Sequence, residues 1–282
     1  MKTMVKIAAL SFLSINFCLN ALPTDSLGVE NSCQIDSFSY QPTEQLTYKA
    51  YYNLGFIWAG VGMVEFKTKP AKLEGRDVYH ACATARNLKA YNWLYEVRDT
   101  YQTYLDQYTY KPVRFERDVH EGKFTIDYQY DFDYDNNQVY LHHMMRREKM
   151  RHEDEYVDIN DCTYDIMSAF YYARSIDYSQ YEVGENIPFE VFIDGKSYNV
   201  AVKYLGKGTA KTKVGKFNCI KFSPELIEGD LFADDDNIVV YATDDDNKIP
   251  VYIEGDLSFG KMKIYLREAE GLKFDMEAKI GK

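Results

Sequence analysis

Two pairs of carboxylates are the first residues able to do chemistry. Glu116 and Asp118, and again Glu254 and Asp256, stand two positions apart. On a strand that spacing puts both side chains on one face, and paired carboxylates are the equipment of glycoside hydrolysis. Arg114 and Arg117 adjoin the first pair, so ion pairing is the simpler role, and an active site seldom needs building twice. The acidic loops 234–237 and 244–247 offer clustered oxygens of the kind hard cations want, yet neither has the spacing of an EF-hand. His142 and His143 face opposite ways on a strand, and His152 sits in the charged run 146–155. The chain has no GxSxG, phosphate loop, HExxH or Cys/His nucleophile pattern. No catalytic residue, metal ligand or cofactor is assigned, and the chain is expected not to be an enzyme.

Aromatic residues are better candidates for contact with a ligand. Phe56 and Trp58, and Tyr91, Trp93 and Tyr95, form dense clusters near Gly55, Gly60 and Gly62. Such clusters line apolar grooves or lids; core packing is the competing reading. Four cysteines follow residue 21. Cys33 and Cys162 fall outside the regular strand pattern and are the candidate disulfide; four free thiols are the alternative.

The elements that position these residues are strands. Phe124, Ile126, Tyr128, Tyr130, Phe132 and Tyr134 alternate with Thr125, Asp127, Gln129, Asp131 and Asp133. One face is ring-bearing and one wet, the mark of an antiparallel sheet, and eleven residues span about 36 Å. Further strands are expected at 45–53, 60–68, 76–86, 97–105, 137–147, 187–193, 197–205, 216–223, 238–243 and 249–257. A helix is expected over 164–175, capped by Thr163, with Ile166, Met167, Phe170 and Tyr171 as its apolar stripe and Arg174 suiting its C-terminal dipole. A second, short helix is expected over 88–95.

The strands repeat. Residues 106–126 and 244–264 match at eight of 21 positions at an offset of 138, including Asp106/Asp244, Pro112/Pro250, Glu116/Glu254, Asp118/Asp256 and Gly122/Gly260. The two glycines stand where the chain must turn back. The expected fold is therefore mainly β: antiparallel meanders forming a curved half-barrel or barrel-like structure from two duplicated units with one linking helix. The organisation reads as signal peptide 1–21, N-terminal extension 22–42, first unit 43–150, linker with helix 151–181, second unit 182–271 and tail 272–282.

Composition bounds the setting. Lys2 and Lys6 precede an apolar run over 7–19, and Ala21 marks a cut, the order of a secretory signal. That run is too short to span a bilayer, so the cleaved chain is expected not to cross a membrane. Without Lys2 and Lys6 the chain has 31 basic and 44 acidic residues, a net charge of −13. Phosphate backbones repel such a chain, so nucleic acid is not an expected partner. Aromatics make up 16% of the residues, with 26 tyrosines, which suits half-buried sheet surfaces.

Residues 44–66 (EQLTYKAYYNLGFIWAGVGMVEF), 92–99 (NWLYEVRD), 112–118 (PVRFERD), 164–174 (YDIMSAFYYAR) and 243–251 (TDDDNKIPV) together resemble the bacterial domain-of-unknown-function family 3108. The resemblance implies an exported, β-rich envelope protein, periplasmic or outer-membrane-associated in a Gram-negative bacterium, and brings no catalytic residues. It also implies a fold similar to the LolA-like lipoprotein-carrier class, in which a half-open sheet holds acyl chains under a helical lid, a fold-level analogy. The expected function is non-catalytic binding or carrying of an apolar ligand (lipid, acyl chain or lipoprotein) by a monomer. The alternatives are an assembly factor for an envelope protein partner and, behind it, a carbohydrate-active enzyme.

Overall fold

A computed structural model describes residues 35, 38–54, 57–93, 95–146, 149–152, 155–224, 238–257 and 260–281. The chain forms β1 Gln45–Leu54, β2 Ile57–Leu73, β3 Arg76–Asn87, β4 Val97–Asp106, β5 Pro112–Glu121, β6 Phe124–Asp133 and β7 Gln138–Arg146. Three short strands follow, β8 Lys149–His152, β9 Glu155–Asp158 and β10 Thr163–Tyr164, then helix α1 Ile166–Ser175. The second run is β11 Asn186–Ile193, β12 Lys196–Lys211, β13 Lys216–Pro224, β14 Ile238–Thr243, β15 Pro250–Leu257, β16 Gly260–Glu270 and β17 Lys279–Gly281.

Each strand from β1 to β7 pairs antiparallel with the next, and so does each from β11 to β16. β1 also pairs antiparallel with β16, Gln45 opposite Glu270. Two six-strand meanders are thereby fused into one sheet, lengthened at one edge by β7, β8 and β9 and at the other by β10, which runs parallel to β11. The far edges share no ladder among the described residues; side chains span the seam instead. Arg117 on β5 reaches Asp194 in the β11–β12 turn (3.1 Å). The Gly195 N–H donates to the Tyr130 hydroxyl (3.1 Å), and Phe192 stands edge-on to Tyr130 (4.8 Å). The sheet is barrel-like without being closed.

The register repeats as well. In β4–β5 the pair Tyr104–Arg114 is followed by Leu105–Pro112, which leaves Val113 as a bulge. In β14–β15 the pair Tyr241–Tyr252 is followed by Ala242–Pro250, and Val251 is the bulge. Just beyond, the Asp106 N–H donates to the Lys111 carbonyl and the Thr243 N–H to that of Ile249. Asp106 thus corresponds to Thr243, not Asp244, because the second loop is one residue longer. Gly122 (φ 61°) lies in the tight turn joining Glu121 to Phe124, as expected. Gly260 instead opens β16 opposite Leu257, one step past its turn, at φ 106°. A Cβ there would stand 2.6 Å from the Asn53 carbonyl oxygen. Gly260→Ala is expected to lower stability by about 2 kcal/mol, through both the clash and the backbone conformation; urea unfolding reads it.

The ring-bearing face of β6 is buried as its alternation requires: Phe124, Ile126, Tyr128, Tyr130 and Phe132 pack with Phe192, Met167 and Tyr171. These rings pack against the protein's own side chains. α1 starts later than expected. Its cap is Asp165, whose carboxylate accepts from the Met167 and Ser168 N–H groups (2.7 and 3.0 Å). Thr163 and Tyr164 are taken by β10, opposite Glu190 and Val191. Arg174 does not serve the helix dipole from the surface. It is buried in a two-point ion pair with Glu44 (2.7 and 2.8 Å) and donates to the Asn247 carbonyl (3.0 Å). The expected helix over 88–95 is a single 3-10 turn, Lys89–Tyr91. Asn87 pinches that loop by accepting from the Val97 N–H and donating to the Tyr95 carbonyl.

Cys162 is disulfide-bonded, while Cys82 and Cys219 are free. The expected partner, Cys33, lies outside the described residues, as do the segment 1–21 expected to be a signal and the loop 234–237. The stretch expected as a tail contributes β17, which pairs with the start of β13. Among the described residues no helix is long and apolar enough to cross a membrane.

Candidate functional site

β16 alternates. Met262, Ile264 and Leu266 are buried, so Lys261, Lys263, Tyr265 and Arg267 project from the opposite face. The neighbouring strands complete that surface. Tyr51 of β1 lies opposite Lys263, and Lys49 opposite Tyr265. Tyr252 of β15 lies opposite Tyr265, and Glu254 opposite Lys263. Gly60 of β2 lies opposite Tyr51 and Trp58 opposite Asn53. At Gly60 a Cβ would meet the end of the Lys49 side chain at 2.9 Å.

The recess is a groove of about 390 Å³. Its floor is aromatic: Tyr51, Trp58 and Tyr265. Its walls are cationic: Lys263 and Arg267 from β16, with Lys211 and Lys213 from the end of β12 and the turn after it, Thr212 between them. The rings are ordered by mutual contact. Tyr252 stacks on Tyr265 at 4.8 Å, Tyr51 meets Tyr265 edge-on at 5.8 Å, and the Lys263 ammonium lies 4.8 Å from the Trp58 ring centre. An ammonium over an indole is favourable, and it presets the lysine. Four cations around three rings, on a chain of net charge −11, make a local field opposite to that of the whole molecule.

The duplication supplies an internal control. Glu116 faces Gln129 where Glu254 faces Lys263, so by ladder register the first unit has Gln129, Asp131 and Asp133 in place of Lys263, Tyr265 and Arg267. The same sheet position is acidic and non-aromatic there, so the scaffold does not require the second unit's rings and cations.

Of the aromatic residues singled out from sequence, Trp58 lines the groove and Phe56 lies outside the described residues. Tyr91, Trp93 and Tyr95 do not line it. The Tyr95 hydroxyl donates to the Glu121 carbonyl (2.9 Å) and its ring covers Gly122, while Trp93 is 83% exposed. Sequence reasoning missed Tyr51, Lys211, Lys213, Lys263, Tyr265 and Arg267. The signal was the wet face of β16, which reads Lys, Lys, Tyr, Arg at alternate positions.

The carboxylate pairs are tied into the sheet. Glu116 accepts from Gln102 (3.0 Å), and burial pushes its carboxyl up. Asp118 is exposed beside His120 (3.0 Å). Glu254 accepts from the Tyr241 and Tyr252 hydroxyls (3.2 and 2.5 Å), and Asp256 meets Lys261 (2.9 Å). In the loop 244–247, Asp245 accepts from the Thr243 hydroxyl and from the Asn247 and Ala278 N–H groups, and Asp244 pairs with Lys207. These oxygens hold loops and strands together.

The family described as "Protein of unknown function (DUF3108)" matches residues 47–267. No curated protein matches the chain. Among solved structures the chain is similar to a β-barrel-like protein of the domain of unknown function DUF1849 from Brucella abortus, with a TM-score of 0.52 and 9% identity over 84% of this chain and 99% of that one. That likeness concerns the fold alone. It is to a barrel-like protein.

Proposed function

Because the chain belongs to the DUF3108 family, which assigns no chemistry, we propose from its own geometry that it is an exported, non-catalytic binding protein of the Gram-negative envelope whose ligand is an acidic amphiphile held in the groove. The observation that carries this reading is the ring floor inside a cationic wall on an otherwise acidic chain. The apolar part of the ligand lies on Tyr51, Trp58 and Tyr265, where burying about 100 Å² is worth about 2.5 kcal/mol. The acidic group meets Lys211, Lys213, Lys263 and Arg267, a term that salt screens. The disulfide at Cys162 supports export, since such bonds persist in oxidising compartments. The lipid expected from sequence is kept as the ligand class, and Trp58, one of its expected contacts, lines the groove.

Titration with a lysophospholipid tests the proposal. The chain has two tryptophans, so in a Trp93→Phe background the fluorescence reports Trp58 alone. Saturable quenching is expected, weakened by added salt. In the same background, binding read by calorimetry is expected to fall about tenfold or more on Trp58→Ala. A lysophospholipid that leaves Trp58 emission unchanged, with no heat of binding, overturns the reading.

A further inference from the structure

We infer that the ligand of this groove carries an ammonium group beside its acidic group, so that the site recognises a dipolar headgroup. The inference rests on the reading above and deepens it. The groove does not end at Lys263. That residue is also in the wall of a second recess of about 260 Å³, lined by Glu254, Asp256 and Lys261. Two adjoining recesses therefore share Lys263: the first is cationic, and the second adds Glu254 and Asp256, the latter paired with Lys261.

The orientation of the side chains supports a dipolar occupant. Glu254 and Lys263 lie directly opposite each other on β15 and β16, a placement in which unlike charges ordinarily pair. Among the described residues no ion pair joins them. Lys263 turns over the Trp58 ring at 4.8 Å, into the groove. Glu254 turns the other way, to the Tyr241 and Tyr252 hydroxyls. Its carboxylate keeps acceptor capacity beyond those two bonds. Tyr252 in turn stacks on Tyr265 of the groove floor, so the two recesses share one rigid framework. Opposed residues on neighbouring antiparallel strands have Cα atoms about 5 Å apart. An acidic group at Lys263 and an ammonium at Glu254 would thus be separated by a short linker, as in an aminoalkyl phosphate. In the first unit Glu116, the counterpart of Glu254, faces Gln129, and the pair of opposite charges is absent.

Calorimetry with two soluble phosphates tests this. Phosphoethanolamine and glycerol phosphate share the acidic group and differ in the ammonium. The protein is expected to prefer phosphoethanolamine by about fivefold to tenfold. Glu254→Gln is expected to abolish the preference; Asp256→Asn is expected to reduce it in part. Lys263→Met is expected to weaken both ligands together. Equal binding of the two phosphates by the natural protein, or a preference that survives Glu254→Gln in a variant with unchanged thermal unfolding, overturns the inference and leaves the groove standing. If neither phosphate binds, the groove reading falls and takes the dipolar headgroup with it.

Discussion

Arg174→Met is expected to lower the unfolding free energy by about 3–5 kcal/mol, measured by urea denaturation. Arg174 and Glu44 are 0% and 1% exposed and meet through two short bonds. The guanidinium also donates to the Asn247 carbonyl, and Tyr40, Phe170 and Tyr171 surround it within about 6 Å. Removing the cation leaves a carboxylate in a dry site with nothing to balance it, which costs more than the pair contributes when intact. Glu44→Gln is expected to do comparable damage. The double change Arg174→Met with Glu44→Leu is expected to recover much of the loss, since it removes both charges at once. A double variant no more stable than either single one would show that hydrogen bonding to Asn247, not charge balance, sets the cost. The position explains the size of the effect. One side chain joins α1, the residue before β1 and the β14–β15 loop, so both meanders lose their common anchor.

The second large effect is a dependence on pH. Asp99 of β4 is buried next to Glu121 of β5. Burial, reinforced by the Glu121 charge, pushes its carboxyl up to about 8, against the opposing pull of the His120 N–H and Arg117. The folded state therefore holds a proton between about pH 4 and pH 8 that the unfolded chain has already released. Stability is expected to fall as pH rises through that window and to level off above it. Asp99→Asn keeps the shape and removes the titration. It is expected to flatten the slope and to raise stability at pH 9 by about 1–3 kcal/mol. The check is thermal unfolding of both proteins at pH 5 and pH 9. Parallel curves would show that no proton is held there. Asp131 works the other way. Burial favours its neutral form, but hydrogen bonds from Arg114 and His142 hold it below the ordinary range, so its contribution is lost only in stronger acid.

Most of the sheet was legible because its faces differ so sharply. The alternation from Phe124 to Asp133 placed β6 and its buried side, and Pro112 and Pro250 marked two strand starts. What escaped were features that no single strand contains. The off-by-one at Asp106 and Asp244 arises from a loop of different length ahead of the same bulge, visible only once the hydrogen bonds of Lys111 and Ile249 are known. β12 runs on to Lys211, past the 205 expected, because a register shift between Tyr204 and Lys207, with Gly206 at φ 80°, lets the strand bend and continue. Arg174 looked like a helix-end cation until Glu44, 130 residues earlier, took it inside. The groove draws on β1, β2, β16 and the end of β12. Only Trp58, conspicuous as a tryptophan beside glycines, announced it in advance.

The ladder between β1 and β16 has a kinetic consequence. Its partners, Gln45 and Glu270, lie at opposite ends of the folded chain, and closing a loop of that length costs about 5 kcal/mol of entropy. No local nucleus can form this contact early, so it belongs to the end of folding. Until β16 arrives, β1 carries one bare edge that a second nascent copy can extend. Whether a chain ends as one molecule or as swapped partners is decided by its last long hairpin.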